Sequence, residues 1–263
     1  MRTMSRLLLS TLSLIPVALC PAQEKSLQPA HAPDGGTIER FASIAIPSTP
    51  GAPFMATVNT EWIRRTPDGS NITLVNRRTV ARDTHGRTYQ ERAYFVPNDG
   101  RRESVAYQTE ISDPAARATY ICRKAERVCR LEAFAGAANS SFRAAASRDR
   151  GNEPGLQVES LGTQNISGLE TIGSRETRLI ETETVGNDSP ILERKEFWYS
   201  PALGINVVTK REEPRFSTQQ SFEVTDITLS EPDAKLFAPP PGYKILDLRN
   251  PPEIPAAQSS SPQ

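Results

Sequence analysis

The feature that most restricts this chain is an alternation of period two, broken at short intervals by turn chemistry. The run Ala56 to Trp62 alternates, Thr66-Pro67-Asp68-Gly69 turns it, and Asn71 to Arg82 returns through Ile72, Leu74 and Val80. Successive side chains of a strand point to opposite faces, so this pattern reads as antiparallel sheet. A second turn, Asp83-Thr84-His85-Gly86, leads into Arg87 to Val96 through Tyr89, Ala93 and Phe95, and Ser104 to Ile111 follows. The second half continues in the same way through Gly155 to Leu161, Thr163 to Gly168, Thr171 to Glu183, Ile191 to Tyr199, Ile205 to Arg211 and Ser217 to Leu229. The expectation is a mainly β protein of about nine or ten strands with little helix and no solenoid repeat. A single domain over residues 37–249 suits this length, because single β domains commonly reach about 200–250 residues.

The ends read differently. Arg2 and Arg6 form a positive start, Leu7 to Leu19 an apolar run, and Cys20-Pro21-Ala22 a cleavage region. This predicts a signal peptide over residues 1–22, cut after Ala22, and a periplasmic or secreted mature protein. Leu19 before Cys20 disfavours lipid attachment, and the run falls short of the roughly 18 residues of a membrane span. Residues 23–36 carry Pro29, Pro33 and Gly35-Gly36 and read as a flexible arm. Residues 136–155 read as a mobile loop, with a short helix over Ser141 to Arg148 as the alternative. Residues 250–263 hold Pro251, Pro252, Pro255, a serine run and Pro262, and read as a disordered tail.

Export makes the cysteines informative. Without Cys20 two remain, Cys122 and Cys129, flanking a polar turn between two strand-like runs. Pairing Lys124 with Arg127 across the turn sets the cysteines opposite each other, the close approach a disulfide needs in an oxidising compartment. The chain has 31 basic and 31 acidic side chains, and losing Arg2 and Arg6 leaves a small acidic excess. Nothing in this balance steers toward nucleic acid.

Candidate chemistry is sparse. His85 lies two residues from Asp83, a spacing open to acid–base work, but Gly86 reads as turn, with Asp83 capping its own backbone. His31 falls in the arm. Two distant histidines and a paired cysteine couple do not build a zinc site, and no Asp-x-Asp-x-Asp calcium loop, phosphate-binding glycine loop or nucleophile elbow is present. No catalytic, cofactor or metal residue is therefore assigned, and no cofactor is expected. An enzyme reading rests only on paired carboxylates such as Glu193 and Glu196. Trp62 and Trp198 are either core or the lining of an apolar groove. In the late hairpin, Trp198 is expected inward beside Val207 or Val208. The pairs Arg64-Arg65, Arg77-Arg78 and Arg101-Arg102 read as a solvated mixed-charge surface rather than a basic face.

Several stretches carry a resemblance: Pro67-Asp68-Gly69, Ala81 to Thr88, Ile111-Ser112-Asp113-Pro114, Leu161 to Glu170, Gly186 to Ile191, Glu196 to Gly204 and Glu231 to Phe237 with Pro241-Gly242-Tyr243. Together they look like uncharacterised exported bacterial proteins. The tryptophan hairpin and the Phe237 ending more remotely resemble the outer-membrane lipoprotein carrier (LolA/LolB-like) superfamily. That resemblance implies one curved antiparallel sheet, a half-barrel, whose concave face takes an apolar ligand, a lipid or a lipidated envelope partner. A structural or scaffolding envelope protein is the alternative. No family catalytic residue comes with it.

Overall fold

The computed structural model describes residues 44–134 and 155–249. The expected signal peptide, arm and tail lie outside the described residues, as does the expected loop apart from Gly155. Thirteen strands form one curved, unclosed sheet. They are β1 (Phe54–Arg65), β2 (Asn71–Arg82), β3 (Thr88–Ala93), β4 (Val96–Pro97), β5 (Ala106–Asp113), β6 (Ala118–Arg123) and β7 (Val128–Ala133), then β8 (Leu156–Ile166), β9 (Leu169–Ile180), β10 (Ile191–Ser200), β11 (Ile205–Glu213), β12 (Thr218–Thr228) and β13 (Lys244–Asp247). Their order is β13-β7-β6-β5-β3-β2-β1-β12-β11-β10-β9-β8, with β4 on the side of β2. Among the described residues the helical segments are two 3-10 turns, Pro214–Phe216 and Ala234–Phe237, and no helix is long and apolar enough to cross a membrane.

Three features depart from the sequence reading. The expected break between Leu161 and Thr163 is a bulge inside one strand, where the β8–β9 register shifts between Ser160 and Gly162 and Gly162 takes φ +79°. The pair β2–β4 is added. So is β13, which pairs in parallel with β7, the single parallel contact among the described residues. A four-residue strand whose partner lies over a hundred residues upstream has no local pattern to reveal it.

The two faces of the sheet are distinct, and β1 defines them. Phe54, Ala56, Val58, Thr60 and Trp62 are buried on one face, while Met55, Thr57, Asn59 and Glu61 point to the other. On the Trp62 face, Phe54, Ala56, Val58, Val80, Phe222, Val224, Ile205 and Val207 form the main core, covered by Ile44, Ile46 and Leu203. A second, smaller core lies on the opposite face of β2, β3, β5 and β6. There Ala81, Tyr89, Ile111 and Tyr120 are successive register partners, and Leu236 and Phe237 of the 3-10 turn pack over them. The buried side therefore changes along the sheet, and a strand near the change shows no cleanly apolar row.

Cys122 and Cys129 are direct cross-strand partners with Cα atoms 3.9 Å apart, and they are joined. Both are fully buried. Closing this short loop restricts the unfolded chain modestly, so replacing both cysteines with alanine should cost about 2–3 kcal/mol. Urea denaturation of the two forms measures it, and equal midpoints would show the bridge to be without effect on stability.

Candidate functional site

The turn that suggested chemistry is a structural junction. Asp83 is fully buried, and its Oδ1 accepts from the backbone N–H of His85 (3.0 Å) and of Arg87 (2.8 Å), while Gly86 takes φ +81°. Its other oxygen receives Arg87 Nε at 2.5 Å, and Arg87 lies over the Phe237 ring at 5.1 Å. Thr84 N donates to Glu231 at 3.0 Å. The turn thus binds the Glu231 to Phe237 segment to the sheet. Asp83, His85 and Glu231 each place a ligand-capable atom within 4.8 Å of the others, but the Asp83 carboxylate is already committed to the turn and to Arg87.

Arg82, one residue earlier, was not singled out by sequence reasoning. It is fully buried. Its Nε donates to Ala52 O (2.9 Å), Nη1 to Pro47 O (2.9 Å) and Nη2 to Leu203 O (2.8 Å), and its guanidinium lies 5.1 Å from the Phe54 ring. One side chain therefore joins the segment over the main core, the entry to β1 and the β10–β11 turn. The signal was available: Arg78 and Arg82 fall in the same alternating row as Leu74 and Val80.

The two tryptophans do not share a groove. Trp62 is 7% exposed, and its row runs Leu74, Trp62, Gln220, Arg211, Lys195, Glu176 across six strands. The next row is Asn76, Thr60, Phe222, Thr209, Phe197, Ser174. Trp198 instead pairs with Val208, which pairs with Glu223 and through it with Asn59, all on the opposite face. The expected neighbour Val208 is found, but on the side away from the main core. A register shift between Trp198 and Tyr199 sends both residues to that side. The Trp198 ring lies across Gly173, where a Cβ would come within 2.7 Å of it, and its Nε1 donates to Glu196 at 3.1 Å. That bond, with Arg175 and Lys210 nearby, holds the Glu196 carboxyl below its usual range.

Glu193 and Glu196 also stand on opposite faces. Glu193 is buried beside Arg215 at 2.7 Å, whereas Glu196 faces Arg175 and Lys210. They cannot act as a carboxylate pair on one substrate. The Arg77-Arg78 pair is split in the same way: Arg77 is exposed and bonds Asp226 at 2.9 Å, while Arg78 is buried. Burial, with Arg92 close by, depresses the Arg78 pKa to about 10. Burial likewise lowers that of Arg211, opposed by Glu176.

The Trp62 face therefore grades from the aliphatic core, through Trp62, Phe222 and Phe197, to the charged side chains of Arg211, Lys195 and Glu176 in the Trp62 row. On the Trp198 face a polar cleft of about 730 Å³ opens over β12, β1 and β2. Asn59, Glu61, Arg77, Thr79, Glu91 and Glu223 line it, and the segment from Val96 to Ser104 borders it.

No family model matches this chain, and no curated protein does. Among solved structures it is similar to an uncharacterized conserved protein from Thermus thermophilus, with 9% identity, 75% of this chain and 91% of that one covered, and a TM-score of 0.39. It is similar to a chain of the Pseudomonas aeruginosa MucA/MucB complex, with 11% identity, 71% and 55% covered, and a TM-score of 0.35. A LolA superfamily protein from Nitrosomonas europaea matches with 12% identity, 73% and 92% covered, and a TM-score of 0.27. The chain thus spans about half of the MucA/MucB match.

Proposed function

We propose that this chain is an exported, non-catalytic envelope protein that holds an apolar ligand, a lipid or a lipidated partner on its Trp62 face. The observation that supports this reading is the grading of that face. Aliphatic and aromatic side chains give way, within two register rows, to Arg211 and Lys195 beside Trp62 and Phe197. An amphiphile matches such a lining, because its tail replaces water over the aromatics while its head stays with the charges. Export is supported by the signal-like start and by a cysteine pair set for oxidation.

Native mass spectrometry of protein purified from a bacterial envelope tests the proposal. The expected spectrum contains a non-covalent lipid adduct that Phe197→Glu removes while leaving the melting temperature within a few degrees. A bare protein under conditions that preserve a control lipid carrier's adduct would instead favour the scaffolding alternative.

A further inference from the structure

We infer that Asp99–Gly100 is a modification site, at which the chain converts aspartate to isoaspartate without an enzyme, and that the fold shields Asp68–Gly69 from the same reaction. This site is independent of the function proposed for the Trp62 face. The chemistry needs an aspartate followed by glycine, and water. The glycine backbone nitrogen attacks Cγ of the neutral aspartate carboxyl. One carboxyl oxygen leaves as water, taking the acid proton and the amide proton, and a five-membered succinimide closes. Water then opens the ring, its hydroxyl going to the released carbonyl carbon and its proton to the nitrogen. Breaking the bond from nitrogen to Cγ restores aspartate. Breaking the bond from nitrogen to the original main-chain carbonyl leaves a backbone that runs through Cβ and Cγ, one carbon longer. Glycine permits the attack because it has no Cβ to crowd its nitrogen.

Among the described residues these two sites form a matched pair. Both are exposed, both glycines take positive φ (+85° at Gly69, +68° at Gly100), and neither has an atom within 4 Å of the place a Cβ would take. In each, the aspartate Oδ1 accepts from the N–H two residues on, Ser70 at 3.1 Å and Arg101 at 2.9 Å. They differ at both reacting groups. The Gly69 N–H is committed to Thr66 O (2.9 Å), whereas that of Gly100 makes no hydrogen bond to any described residue. The Asp68 carboxylate also accepts from the Thr66 and Ser70 hydroxyls. These donors, Thr66 foremost, hold its pKa down at about 2. The neutral acid, the form that can lose water, is therefore scarce at Asp68. Asp99 accepts from Arg101 N alone among the described residues. Its segment is tied at both ends, because Asn98 N donates to Thr73 O (3.0 Å) and Ser104 Oγ accepts from Arg77 N (3.0 Å). Isomerisation thus adds a backbone atom to the stretch that borders the polar cleft.

Ageing the oxidised, folded protein at mildly acidic pH in water enriched in heavy oxygen tests the site. Each passage through the succinimide leaves one heavy oxygen on the residue whichever product forms, and digestion in ordinary water followed by mass spectrometry reads it peptide by peptide. Label at residue 99 is expected to exceed that at residue 68 by about ten-fold or more, since each pKa unit alone changes the neutral fraction about ten-fold. Electron-transfer fragmentation should find isoaspartate at residue 99. In urea, where both turns are lost, the two residues should label alike, because each is an aspartate before a glycine. Thr66→Val removes one donor and should raise the label at residue 68, and Gly100→Ala should suppress it at residue 99. Equal label at the two residues of the folded protein, a difference that persists unchanged in urea, or label at residue 99 that survives Gly100→Ala would overturn the inference.

Discussion

Arg82→Ala is expected to lower the stability of this protein by about 3–5 kcal/mol, the largest effect of any single charged residue. Three donors of one guanidinium satisfy three backbone carbonyls, those of Ala52, Pro47 and Leu203. Hydrogen bonds from a charged group contribute about 1.5–3 kcal/mol each, and a buried carbonyl left without a donor costs about 1–3 kcal/mol. Against this stands the cost of burying the cation, which its depressed pKa registers. Removing the side chain recovers that cost but takes the donor from Ala52 O and Leu203 O, while Pro47 O keeps only the Thr49 N–H, so the loss dominates. Arg82→Met keeps an aliphatic stem but should recover little, because the missing groups are donors. Arg82→Lys should fall between, since a single ammonium cannot reproduce the planar fork. Urea denaturation of the four proteins checks the order, and a loss below about 1 kcal/mol in Arg82→Ala would remove Arg82 from its structural role.

The strands from β1 to β3 and from β10 to β12 were legible because each is bounded by turn residues that act locally, and all but the six-residue β3 are long. Gly86 and Asp83 make their turn whatever the rest of the chain does, and Cys122 and Cys129 meet because a short polar turn fixes their register. What escaped was the consequence of having two cores on opposite faces. The apolar members Leu74 and Val80 mark one alternating row of β2, and Asn76, Arg78 and Arg82 of the same row are buried with them. The same change of side places Trp62 and Trp198 apart. Alternation assigns each residue a side relative to its own strand, but it does not say which side is covered, and a one-residue register shift at Trp198 and Tyr199 reverses the assignment beyond it. The polar cleft was least legible, because Asn59, Glu61, Arg77 and Glu223 come from three strands that meet only when β1 pairs with β2 and β12.

The separation of the tryptophans predicts unequal costs for the same substitution. Trp62 is buried among Thr60, Leu74 and Gln220 in the sheet's continuous Trp62 row, and Trp62→Ala should cost about 3–5 kcal/mol by loss of transfer energy together with the cavity left behind. Trp198 is half-buried, rests on Gly173 and keeps one edge toward Glu196. A partly exposed ring recovers water contact when it is removed, and Glu196 retains Arg175 and Lys210 as partners. Trp198→Ala should therefore cost only about 1–2 kcal/mol. The vacated space over Gly173 supplies an internal control. Gly173→Ala clashes with the ring in the natural protein, so it should destabilise that protein by about 1–3 kcal/mol but be better tolerated once Trp198 is alanine, a coupling that a double-mutant cycle reads directly. Equal losses for the two tryptophans, or strict additivity between Gly173→Ala and Trp198→Ala, would contradict the placement of Trp198 across Gly173 on the face away from the main core.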